Sequence, residues 1–201
     1  MGNYNLEKMQ KKLKKYIDEE RYRHTLGVMY TAASLAMCYG ADLEKAQVAG
    51  LLHDCAKCIP NEKKLKLCHE YGIPVSQIEQ ESPYLLHASL GAYIAKRKYD
   101  VTDEEILGAI ACHTTGKPAM TLLEKIIFLS DYIEPMRSKA ENLPQIRHMA
   151  FHDLDYAVYV TLRDTLRYLE KEKTSLDRQT VEAYHYYKQF YNQDIEEKEE
   201  A

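Results

Sequence analysis

The 201-residue chain is 45% hydrophobic and 29% charged, a balance that supports one substantial core and excludes a disordered or fibrous protein. A formal net charge of -4 and a pI near 6.1 argue against a general surface for polymeric nucleic acid, while leaving room for a local basic pocket. No apolar run is long enough for a membrane span and the charged opening is not a signal peptide, so a cytoplasmic protein is expected, its odd set of five cysteines carried as free thiols.

Apolar residues recur at helical spacing almost throughout. The first predicted helix, 4–19, carries Leu6, Met9, Leu13 and Ile17 on one face, and a second runs over 21–39. Gly40 followed by Asp42 reads as a stop and a new N-cap, opening 42–57 with Val48, Leu51, Leu52 and Cys55 on its stripe. Helices follow over 61–71, 74–81 and 83–99, with Gly72 and Pro74 marking a break. Thr102 and Glu105 form a capping-box pattern for 102–113. Leu122, Leu123, Ile126, Ile127 and Leu129 give 120–132 a buried face, and 145–171 and 176–192 complete the series.

No stretch alternates with period two, so the fold class expected is all-α, a single helical bundle of about eight to ten helices over 1–192. The stretch 133–144, with two prolines, reads as a loop beside Asp131. Residues 193–201 read as a charged, disordered tail.

The segment LLHDCAKC, 51–58, offers two chemistries. Its C-x-x-C pair lacks the second pair that a zinc site needs, and no βαβ pattern supports a thioredoxin-like centre, so Cys55 reads as core and Cys58 as incidental. The imidazoles carry more weight. Of eight histidines, His24, His53, His87 and His113 each lie within or at the end of a largely apolar helix. Buried neutral imidazoles each need a polar partner, and a metal ion satisfies several together. Asp54 and Asp131 bring carboxylates from equally apolar segments, where each must be a ligand, a cap or half of an ion pair. His69, His148, His152 and His185 sit among Lys, Glu, Arg and Tyr and read as surface or supporting groups, and the seventeen tyrosines read as amphipathic packing.

The order His24, His53–Asp54, Asp131 resembles the HD-domain metal-dependent phosphohydrolases, an all-helical superfamily. The segments RYRHTLGV (21–28), HDCAK (53–57), HASLGA (87–92), HTTG (113–116) and DYIEPMR (131–137) are similar to its YqeK-type bacterial members, which cleave diadenosine tetraphosphate symmetrically into two ADP. The resemblance covers about 20–190. It implies a single HD-domain bundle in which His24, His53, Asp54 and Asp131 hold one metal ion, and Asp54, as a bridge, joins His87 and His113 around a second. It further implies iron, although imidazoles and carboxylates also suit manganese, cobalt or zinc, and a homodimer.

For a dinucleoside polyphosphate or nucleotide substrate, cations beside the metals are expected. Lys57, one helical turn after His53, is the first candidate and is placed with Asp54 in the catalytic machinery; Arg137 is the second. The loop Thr114, Thr115, Gly116 offers backbone N–H groups to phosphate oxygens. Arg21 and Arg23 read first as salt bridges ordering the first helices and second as phosphate contacts. Two alternatives stay open: an HD-type nucleotidase or nucleotide pyrophosphohydrolase of other specificity, and a non-catalytic nucleotide-binding regulatory module.

Overall fold

The computed structural model describes residues 4–191, so the expected charged tail over 193–201 lies outside the described residues. Those residues form eleven α-helices and no strand. In chain order they are α1 Leu6–Leu13, α2 Glu19–Tyr39, α3 Leu43–Leu52, α4 Asn61–Tyr71, α5 Gln77–Glu81, α6 His87–Tyr99, α7 Glu104–Cys112, α8 Leu122–Ile133, α9 Leu143–Ala150, α10 Leu154–Lys171 and α11 Arg178–Lys188. A 3₁₀ turn, Pro83–Leu86, leads into α6.

The all-α expectation holds, with more and shorter pieces than the periodicity implies. The predicted 145–171 helix is two: α9 ends at Ala150, and Asp153, with extended backbone, accepts the Tyr156 N–H to start α10. The apolar period runs across this break, so only the aspartate cap betrays it. The predicted 42–57 helix stops at Leu52. Asp103, rather than Thr102, caps α7, its Oδ1 accepting from the Glu105 and Ile106 N–H groups. Gly40 ends α2 at φ 68°, a left-handed conformation costly to residues with a Cβ, and Asp42 caps α3 as expected.

Helices α2, α3, α7 and α8 pack against one another, and α6 lies on α7. Leu35, Leu51, Leu52, Ile110, Ile126 and Leu129 fill the space between them with no exposed surface. Each such side chain contributes roughly 1.5–3 kcal/mol by leaving water. Where α3 crosses α2 the backbones nearly touch: a Cβ at Gly50 would lie 2.9 Å from the Met29 Cα. On the far side α10 covers α8, and α11 covers α10. From there α11 braces the loop after α7, with the Tyr187 hydroxyl accepting the Met120 N–H at 3.0 Å and the Gln179 amide donating to the Gly116 carbonyl at 2.8 Å. No helix among the described residues is long and apolar enough to cross a membrane.

Candidate metal centre

Helix ends place three of the four imidazoles. His53 follows α3 and His113 follows α7, each where the last carbonyls of a helix lack a helical donor, and His87 follows the 3₁₀ turn as the first residue of α6. Each ring meets a carbonyl three residues back through Nδ1: His53 with Gly50 at 2.7 Å, His87 with Tyr84 at 2.6 Å, His113 with Ile110 at 2.7 Å. A carbonyl only accepts, so Nδ1 carries the proton and Nε2 faces away from the parent helix. His24 lies inside α2 instead, and its Nδ1 is 3.0 Å from Oε1 of Glu134, just past α8.

The four Nε2 atoms converge on two carboxylates. His24 Nε2 lies 3.0 Å from Asp131 Oδ1, and His53 Nε2 lies 3.4 Å from Asp54 Oδ2. On the other side of Asp54, Oδ1 is 3.2 Å from His87 Nε2 and 3.6 Å from His113 Nε2, which are 3.1 Å from each other. All four imidazoles and Asp54 are buried, and Asp131 is partly exposed. Two groups have donor atoms mutually within 4.8 Å and can hold a metal ion: His24 with His53 and Asp131, and His53 with Asp54 and His113.

Three buried atoms of this cluster, His24 Nε2, His53 Nε2 and Asp54 Oδ1, have no hydrogen-bond partner. Such groups are costly to bury unless something lies between them. Charge points the same way. Burial opposes ionisation of Asp54, but the surrounding imidazoles of His53, His113 and His87 outweigh it and hold the carboxyl well below the usual carboxylate range. At Asp131 burial is likewise outweighed by His24, His53 and Arg137. Burial pushes His87 down to about 4, so its Nε2 keeps a lone pair near neutral pH. Two ionised carboxylates facing inward-directed imidazole nitrogens, with no thiolate, fit divalent metal ions.

The cysteines stay out of this arrangement. Cys55 donates to the Gly91 carbonyl at 3.4 Å, and burial raises its thiol to about 12. Cys58 points elsewhere, toward Asp18 Oδ2 at 3.3 Å. His69, His148, His152 and His185 are exposed, as expected.

Cations and hydroxyls border the cluster. Lys57 Nζ lies 3.1 Å from His87 Nε2 and 3.9 Å from Asp54 Oδ1. Arg137 donates through Nη2 to Asp131 Oδ1 at 2.5 Å and through Nε to the Asp131 carbonyl at 2.9 Å. The Thr114 hydroxyl is 3.1 Å from Nε2 of both His87 and His113. Its neighbours face the turn itself: the Thr115 hydroxyl donates to the Gly116 carbonyl, and the Gly116 N–H, at φ 64°, donates to the Cys112 carbonyl at 2.8 Å. Two contacts escape a reading of the letters. Arg21 donates to Asp54 Oδ2 at 2.7 Å across 33 positions, and Glu134 meets His24 across 110. The neighbouring residues name neither partner.

With this geometry in place, the chain belongs to the HD-domain family, whose model matches residues 21–136. A crystal structure from Clostridium acetobutylicum, described as a predicted HD superfamily hydrolase involved in NAD metabolism, is 40% identical and superposes with a TM-score of 0.88 over 92% of this chain and 98% of that one. Within the family the chain groups with proteins named bis(5'-nucleosyl)-tetraphosphatase, symmetrical. The Bacillus subtilis member is 39% identical over 87% of this chain and 92% of its own length. The Staphylococcus aureus member is 35% identical over 91% and 94% respectively.

Proposed function

We propose that the chain is a metal-dependent hydrolase that cleaves diadenosine tetraphosphate at its central phosphoanhydride, giving two ADP, and that it acts on related dinucleoside polyphosphates. The observation that carries this reading is the convergence of four imidazole Nε2 atoms on Asp54 and Asp131. The names of relatives that align along nearly their whole length support the substrate. His24, His53, Asp54 and Asp131 are assigned to one metal ion, and Asp54, His87 and His113 to a second. Iron is the metal proposed, and the donor set also accommodates manganese, cobalt or zinc. The described residues 4–191 are read as one domain.

When bound, divalent ions supply Lewis acidity and lower the pKa of a coordinated water from about 15.7 towards neutrality. The chain's own groups do the rest. Hydrolysis consumes one water, whose oxygen bonds to one of the two central phosphorus atoms while the bridging oxygen leaves with the other ADP. That leaving group departs as an anion, so it needs charge compensation rather than a proton. Lys57, its side chain one-third exposed beside Asp54, and Arg137, at the rim on Asp131, are placed to supply it. The Thr114 hydroxyl is read as a further contact to a phosphate oxygen, with Thr115 and Gly116 shaping the turn that presents it.

The test is product analysis. Metal-loaded protein incubated with diadenosine tetraphosphate is expected to yield ADP as the only nucleotide product. AMP with ATP would move the cut, and tight binding without turnover would replace the enzyme by a binding module. Lys57→Ala is expected to lower kcat/KM by roughly tenfold to a hundredfold, the weight of one charged hydrogen bond, while the metal content stays unchanged. Steady-state kinetics with parallel metal analysis check it, and unaltered kinetics would return Lys57 to the surface.

A further inference from the structure

His24 is the one imidazole of the four that its own helix cannot orient. Inside α2 the nearby carbonyls are spent on the helical ladder, so Nδ1 needs an acceptor from elsewhere. We propose that Glu134 is a positioning residue: its carboxyl group holds the His24 ring with Nε2 directed at Asp131 and so sets the affinity of the metal site to which His24 contributes. The inference rests on the assignment of His24 as a ligand.

Several independent contacts fix Glu134 for this task. It is 1% exposed, and its two oxygens serve different partners: Oε1 lies 3.0 Å from His24 Nδ1, and Oε2 accepts the Met136 N–H at 2.7 Å. Helix α2 makes room for it, because a Cβ at Gly27, one turn beyond His24, would lie 2.5 Å from Glu134 Oε2. Arg147 secures the segment from behind, donating to the carbonyls of Ile133 at 2.8 Å, Glu134 at 2.9 Å and Arg137 at 2.8 Å. Acceptors that orient a ligating imidazole typically change metal affinity by about tenfold to a hundredfold when lost.

The experiment titrates the metal-free full-length chain with Co2+ alone, against a competing chelator, and reads the His24 tautomer by long-range 1H–15N correlation. In Glu134→Gln the amide has one oxygen for two donors, so one of the two hydrogen bonds must fail. This variant is expected to keep its helical content, weaken one Co2+ site by about tenfold to a hundredfold, and lose the single Nδ1–H tautomer of His24. Gly27→Ala displaces the Glu134 carboxyl without substituting either partner, and is expected to weaken the same site although alanine favours a helix. His24→Ala serves as the reference for losing the ligand. If it weakens Co2+ binding while Glu134→Gln and Gly27→Ala titrate like the unsubstituted chain, the positioning role is overturned. If His24→Ala itself titrates unchanged, the ligand assignment falls and takes the positioning role with it.

Discussion

Replacing Asp54 by alanine is expected to lower turnover of diadenosine tetraphosphate by several orders of magnitude and to remove at least one metal ion, with the helical content preserved. Asp54 sends Oδ2 toward His24 and His53 and Oδ1 toward His87 and His113, so its two oxygens face both halves of the cluster. Losing a group that acts as one unit with others is not shared out among them. The fold should survive, because His53, His87 and His113 keep their carbonyl partners and Arg21, 27% exposed at its side chain, can turn to solvent. Anaerobic metal analysis, circular dichroism and product chromatography on one preparation check all three expectations. Near-normal activity would end the bridging assignment.

The second large effect comes from a residue with no side chain. Gly50→Ala should stabilise α3 by up to about 1 kcal/mol if helix propensity alone decided. The new Cβ, however, would lie 2.9 Å from the Met29 Cα, 3.2 Å from its nitrogen and 3.3 Å from the Val28 carbonyl oxygen. Those are backbone atoms, which no rotamer change can clear, so α2 and α3 must move apart. Overpacking of this kind costs about 1–3 kcal/mol, and a chain of this size loses roughly 2–4 °C of Tm per kcal/mol. The same displacement separates His24, on α2, from His53, three residues beyond Gly50, and metal affinity should fall with it. Thermal melts with and without Co2+ measure both, and a raised Tm would refute the prediction.

The cluster was legible because imidazoles and carboxylates stand out chemically in apolar runs. An imidazole or carboxylate in a run such as GLLHDC or KIIFLSDYI has few bland explanations, and six such residues fall in the positions of a known pattern. Helix type was equally plain, since apolar spacing records it directly. Boundaries were not: α9 and α10 share one apolar phase, so their break at Phe151–Asp153 depends on a single cap. The end of α3 at Leu52 depends on the His53 ring taking a carbonyl, a contact between side chain and backbone that periodicity does not carry. Glu134, and the partner of the salt bridge expected of Arg21, were hidden for another reason, because one sequence does not say which distant pairs meet.

The wiring of the four imidazoles also imposes an order of assembly. Three are anchored by carbonyls three residues away, contacts that form as soon as a helix closes its last turn. The fourth closes a span of 110 residues to Glu134, which ideal-chain scaling makes about 3 kcal/mol more expensive in loop entropy. Three of the donors are therefore aimed early and locally, whereas His24 is aimed only after the segment following α8 has docked. A nascent chain can aim these three rings element by element, and their convergence exists only in the finished fold.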